Sequence, residues 1–237
     1  YTPGSGPAAH PNSRFTVSAR QCPSWSADAE APQGVPLTAI VFGGRRADLM
    51  PLVLEARDWR HGVLLGAGMA SETTAAATGK VGVVRRDPMA MQPFCGYHFG
   101  DYWTHWLNVG AGLSNPPGIY HVNWFRRDAD RRFMWPGFGD NLRVLEWIIG
   151  RCAGQAQAVR TPVGNLPAPG ALNVGGLDLG PDTLRALTTM DAAAMDAELA
   201  AIATYLKGFG ERVPDALHAE IRRARAELAS APRAAAG

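Results

Sequence analysis

Residues 123–141, NWFRRDADRRFMWPGFGDN, constrain the fold of this 237-residue chain more than any other stretch. Pro136-Gly137 and Phe138-Gly139 forbid a helix that runs through it, because proline lacks an amide hydrogen and glycine resists being held in a regular element. The same stretch carries Trp124, Phe125, Phe133, Trp135 and Phe138, set between arginines. Rings on a strand end and a loop line a cleft more easily than a core. An aromatic face there can hold a flat heterocycle; for any one ring taken alone, a plain core role stays open.

A helix should follow. Leu142, Leu145, Ile148, Ile149 and Cys152 recur at helical spacing, with Asp140 or Asn141 available as the N-cap. Its N-terminal amides and partial positive charge would face whatever the rings hold. A carboxamide at Asn141 can hydrogen-bond a base edge, and helix capping accounts for the same residue equally well.

The motif HVNWFRRD, followed by WPGFGDN and RVLEWI, resembles the guanine-binding segment of the GTP-dependent phosphoenolpyruvate carboxykinases. The resemblance implies that Phe125 and Phe133 lie on the faces of the guanine, with Phe138, Gly139, Asp140 and Asn141 at its edge. Asp140 stands where glutamate is expected in the family, a change of one methylene.

Three further motifs occur in the family's order. In HPNSRFT, Asn12 and Arg14 flank Ser13, so one carboxamide and one guanidinium are offered to a carboxylate or phosphate. The resemblance implies that Asn12, Ser13 and Arg14 contact a dicarboxylate substrate and that Arg14 reaches the transferred phosphoryl group. VPLTAIVF, residues 35–42, reads as a strand that ends in Gly43-Gly44-Arg45-Arg46. FGGRR is similar to the family motif whose first arginine reaches the nucleotide phosphates; that role falls to Arg45 and leaves Arg46 unassigned. Residues 66–79, GAGMASETTAAATG, are small and polar after Met69, a composition suited to a mobile lid. SETTAAATGK resembles the family's Ω-loop lid, placed here at about residues 66–80. A phosphate-binding P-loop it is not, since Thr74 stands where glycine is required and Val81 where serine or threonine is required.

The remaining chain is read from pattern. PLVLE (51–55) and GVLL (62–65) suggest two short strands around Trp59-Arg60-His61, and VGVVRR (81–86) another. Residues 85–107 lead from a Pro-rich loop into a helix on which His98, Asp101 and His105 share a face. A metal site is conceivable there, but capping by Asp101 is simpler and the resemblance assigns no metal. Residues 116–125 form a strand feeding the aromatic loop, and 153–180 a wrapping segment. Met195, Leu199, Ile202 and Leu206, then Leu217, Ile221, Ala224 and Leu228, mark two closing helices.

A net charge of +2 supports neither a nucleic-acid nor a membrane partner, although the doublets Arg45-Arg46, Arg85-Arg86, Arg126-Arg127 and Arg131-Arg132 suit phosphate. Cys22, Cys95 and Cys152 form no CxxC pair and their odd count gives no disulfide framework, which fits a reducing, cytoplasmic setting. No apolar run approaches the ~20 residues that span a bilayer. A start at Tyr1 rather than methionine suggests a piece of something longer.

The expected fold is α/β, a mixed sheet flanked by helices. Residues 1–152 would form the nucleotide- and substrate-binding region, and 153–237 the wrapping segment and C-terminal helices of the same domain. The resemblance implies the gluconeogenic reaction in which oxaloacetate and GTP give phosphoenolpyruvate, CO2 and GDP, with Arg14 and Arg45 acting at the phosphoryl group. It implies GTP/GDP, Mn²⁺, and Mg²⁺ with the nucleotide, in a monomer. The P-loop, the reactive cysteine and the metal ligands would precede this segment. A non-catalytic guanine-nucleotide module or truncated remnant is the competing reading, and the retention of Asn12, Arg14 and the lid argues for the enzyme.

Overall fold

The computed structural model describes residues 2–6, 13, 15–74 and 80–230. A five-stranded sheet runs in the order β1 (Ala39–Gly43), β5 (Gly118–Val122), β2 (Val53–Glu55), β7 (Gly164–Pro167), β6 (Ala158–Thr161). β1 and β5 are parallel and the other pairs antiparallel, so the sheet is mixed, as expected. A separate two-stranded ribbon joins β3 (Ala70–Glu72) to β4 (Val84–Arg86).

Central strand β5 explains the layering. Its residues Ile119, Tyr120, His121 and Val122 are all buried, and successive side chains of a strand point to opposite faces. Ile119 enters a core with Val63 and Leu64 of α1 (Trp59–Ala67), Trp103 of α2 (Phe99–Ala111), Leu206 of α5 (Ala192–Lys207) and Leu217 of α6 (Asp215–Ser230). Tyr120 and Val122 enter a second core with Val144, Trp147 and Ile148 of α3 (Asn141–Cys152) and Leu187 of α4 (Pro181–Thr188). Helices therefore cover both faces of the sheet. None of them is long and apolar enough to cross a membrane, among the described residues.

Helices α1 and α5 begin where side chains satisfy their free amides. Asp58 accepts from His61 N at 2.9 Å to start α1, and Asp191 from Ala194 N at 2.6 Å to start α5. Of the α5 and α6 positions picked by periodicity, Met195, Leu199, Ile202 and Leu206, then Leu217, Ile221 and Ala224, are buried, and Leu228 is partly buried.

Three sequence expectations need correction. GVLL, 62–65, is not a strand but the middle of α1. Its glycine has a packing reason, because a Cβ on Gly62 would stand 2.4 Å from Ile119 Cδ1. Residues 66–72, taken as the first half of the lid, end α1 and form β3, and Gly66 to Ser71 are buried. In the β3–β4 connection Thr73 is partly buried and Thr74 and residues 80–83 are exposed, while 75–79 lie outside the described residues. Finally, 153–180 is more than a wrapping segment: β6 and β7 form a hairpin that extends the main sheet.

Candidate functional site

Because β1 and β5 are parallel, their carboxyl ends emerge side by side. Gly43 pairs with Val122, and Gly44 N donates to Val122 O at 3.0 Å. The loops that follow carry Arg45 and the aromatic stretch, at the edge where open α/β sheets bind ligands. One residue stitches them together. Asn123, 0% exposed, accepts at Oδ1 from the amides of Arg46 (3.0 Å) and Phe125 (3.3 Å), while its Nδ2 donates to the carbonyls of Arg46 (2.9 Å) and Met50 (3.1 Å). Arg127 N adds a bond to Ala47 O at 2.9 Å. Sequence reasoning gave Asn123 no role; its signal was a carboxamide directly after the buried run IYHV.

The arginine doublet splits between two tasks. Arg46 turns into the core, where its Nη1 lies 3.1 Å from Glu198 Oε1, an oxygen that also accepts from Arg86 at 2.7 Å. Arg45 stays half-buried against the β3 edge. Its amide donates to Ser71 Oγ (3.2 Å), its carbonyl accepts from Glu72 N (2.7 Å), and its Nη2 reaches Glu72 O only at 3.5 Å. Among the described residues Arg45 has no carboxylate partner, and its buried Nε has no hydrogen-bond acceptor. A desolvated, unpaired guanidinium is matched to an anionic oxygen.

In the aromatic loop the rings sort by type. Trp135, 1% exposed, belongs to the second core, and Trp124 packs against that core. Phe125, Phe133 and Phe138 face outward, at 38%, 53% and 97% exposed. Gly137, at φ +95°, makes the turn that presents Phe138. Phe125 and Phe133 touch edge to face, with centroids 6.1 Å apart and planes at 75°. A base between two parallel rings needs them about 7 Å apart, two contacts of about 3.5 Å each, so one ring must turn to admit it. The Arg127 guanidinium sits 4.0 Å over the Phe133 ring, a cation–π contact. Asp128 braces the turn: Arg132 N, donating at 2.8 Å, holds its carboxyl below the usual range.

Neither residue expected to cap α3 does so. Asp140 stands at the N-cap position but makes no capping bond, pairing instead with Arg143 Nε at 2.9 Å. Asn141 is already helical, and its Oδ1 accepts from Trp135 Nε1 at 3.0 Å. Gly139 meets nothing within 4 Å of a built Cβ, so it is open on that side.

Of the substrate-contact trio, Ser13 is exposed, and Asn12 and Arg14 lie outside the described residues. His98, Asp101 and His105 are not brought together as a set of ligands. His98, not Asp101, caps α2, through Nδ1 and Gly100 N at 3.1 Å, and Asp101 binds Arg212 at 3.0 Å. Among the described residues no three His, Cys, Asp or Glu side chains come together to hold an ion.

Behind the site, His121 of β5 is buried with its Nδ1 unpartnered among the described residues. Burial, then the nearby positive charge of Arg46, pushes its pKa down to about 4. Between that value and the ordinary 6.5 the unfolded chain binds the proton that the folded chain refuses, so stability is intact above about pH 6.5 and falls as pH drops toward 4. The expected loss is about 3 kcal/mol, on the order of 1.4 per pKa unit. His61, also driven well down by burial, adds to the trend in the same direction. Urea unfolding at pH 7.5 and 4.5 checks this: His121→Gln should shrink the difference, and an unchanged difference would remove His121 as its source.

Comparison with known proteins gives the same answer along nearly the whole chain. Residues 1–227 match the family model described as the phosphoenolpyruvate carboxykinase C-terminal P-loop domain. Curated relatives called phosphoenolpyruvate carboxykinase [GTP] include one from Chlamydia trachomatis serovar D, 51% identical over 229 residues, covering 96% of this chain and 38% of the relative. Another, from Anaeromyxobacter dehalogenans strain 2CP-C, is 52% identical over 207 residues, covering 87% of this chain and 35% of the relative. A third, from Chlamydia pneumoniae, is 50% identical over 230 residues. The chain thus spans little more than a third of the length of these relatives. With a match of this extent, and with the Gly43-Gly44-Arg45-Arg46 and aromatic motifs brought together at one edge of its sheet, the chain belongs to the GTP-dependent phosphoenolpyruvate carboxykinase family.

Proposed function

We propose that this chain supplies the guanine-nucleotide side of an enzyme that converts oxaloacetate and GTP to phosphoenolpyruvate, CO2 and GDP. The observation that carries the reading is the Asn123 stitch, which ties the loop of Arg45, whose guanidinium has no carboxylate partner among the described residues, to the start of the loop that turns three phenylalanines outward.

The chemistry has two steps. The bond from oxaloacetate's carboxylate carbon to its neighbour breaks, CO2 leaves, and the electron pair remains as an enolate. The enolate oxygen then attacks the γ-phosphorus of GTP, and the bond to the bridging oxygen breaks to release GDP. Phosphoryl transfer is chiefly positioning and charge neutralisation. Arg45 serves this by donating to phosphate oxygens from a site where no carboxylate competes, and Arg14 serves the transferred group. Asn12, Ser13 and Arg14 hold the dicarboxylate. Phe125 and Phe133 stack on the base, with Phe138, Gly139, Asp140 and Asn141 at its edge. The β3–β4 connection closes over the cleft and keeps water from the enolate.

Among the described residues no three His, Cys, Asp or Glu side chains come together to hold an ion, so the Mn²⁺ and Mg²⁺ implied by the family would take their ligands from outside them. A cytoplasmic monomer is the setting consistent with three free cysteines and a net charge of +2.

The test is phosphoenolpyruvate formation by the intact polypeptide from oxaloacetate with GTP. Absence of product, with GDP still bound, would reduce the protein to a nucleotide-binding remnant. For the base site, Phe125→Ala should weaken GDP binding by about 1–3 kcal/mol, the usual worth of a stacked base. Unchanged affinity in calorimetry would sink the guanine assignment to this loop.

A further inference from the structure

We propose that Trp135 is a positioning residue that sets the preference for guanine over adenine by locking the carboxamide of Asn141. The proposal rests on the guanine reading above and adds to it the device that orients the reading group.

Trp135 is buried in the second core with Val144, Trp147 and Leu187. An indole has one polar atom, and burying that N–H without an acceptor is costly. The acceptor is Asn141 Oδ1, at 3.0 Å. An indole N–H can only donate, so the atom it meets must be the carboxamide oxygen. This removes the twofold ambiguity of an asparagine side chain, whose oxygen and nitrogen otherwise exchange by a half-turn.

With Oδ1 held, Nδ2 is turned the other way, and it has no partner among the described residues. Its surroundings also favour donation. Asn141 is the first residue of α3, where unsatisfied amides point outward, and the nearby Asp140 carboxylate is engaged by Arg143 at 2.9 Å. A fixed NH2 in a donor-rich corner reads an acceptor. Guanine offers O6 and N7, whereas adenine places an amino group where guanine has O6. An unlocked carboxamide could flip and present its oxygen to that amino group. Trp135 forbids the flip, so adenine meets donor against donor.

The test is calorimetry of GDP and ADP binding to the intact polypeptide, for the unaltered protein, Trp135→Phe and Asn141→Asp. Phenylalanine keeps an aromatic ring in the core but removes the N–H together with part of the indole's volume. The GDP:ADP affinity ratio should fall by about tenfold in Trp135→Phe, within the range a specific base contact supplies. Asn141→Asp keeps an acceptor for the indole but has no NH2, and it should lose the preference as well, which keeps the idea testable if Trp135→Phe folds poorly. A Trp135→Phe protein that binds both nucleotides more weakly at an unchanged ratio would show a packing role alone and overturn the proposal, as would an Asn141→Asp protein that still prefers GDP. An unaltered protein with no preference for GDP would instead sink the guanine reading itself.

Discussion

Arg45→Met in the intact polypeptide is expected to lower kcat by about 10³-fold or more, the worth of an arginine at a transferring phosphoryl group. The size follows from what surrounds the side chain. Arg45 is half-buried, its Nε has no acceptor, and no carboxylate neutralises it among the described residues. Its charge is therefore directed at whatever anion enters. Methionine keeps much of the stem and removes the charge, so the fold should hold. Arg45→Lys should recover only part of the loss, since an ammonium cannot reproduce the bidentate fork. Steady-state kinetics checks the expectation, and a fall of less than tenfold would move the phosphate-facing role to another residue. Arg46→Met is the informative control. Its guanidinium is bound to Glu198 in the core, so that substitution should act on stability before it acts on rate.

Asn123→Ala is expected to cost about 3–5 kcal/mol of folding stability, a large value for one surface-free truncation. Four backbone groups lose this partner: the amide and carbonyl of Arg46, which are buried, and the amide of Phe125 and carbonyl of Met50, which are partly buried. Each buried polar group left unpaired costs about 1–3 kcal/mol, and local relaxation recovers part of the sum. Nucleotide affinity should fall with stability, because the same bonds set the Arg45 loop against the aromatic loop. Urea unfolding measures the first effect and calorimetry the second. A stability loss below about 1 kcal/mol would mean that the sheet alone holds the two loops in register.

The sequence by itself determined whatever depends on neighbours along the chain. The closing helices were legible because burial of Met195, Leu199, Ile202 and Leu206 follows from the 3.6-residue turn. The break in regular structure at Pro136-Gly137 was legible because backbone chemistry dictates it, and Gly137 does take a positive φ there. The four motifs identified the family for the same reason, as ordered strings of residues.

The tertiary structure decided everything that depends on what lies across the fold. GVLL reads as a strand by local pattern, and the Asp58 cap together with Ile119 against Gly62 made it helix. Trp135 and Phe138 are three residues apart on one loop, yet one is core and the other fully exposed, since only one of them meets Trp147 and Leu187. Arg45 and Arg46 are adjacent and chemically identical. Glu198, 152 residues further along, draws Arg46 inward and leaves Arg45 without a counter-charge. Local periodicity sets which side chains share a face, but only the packing of distant elements sets which face meets protein and which is left for a ligand.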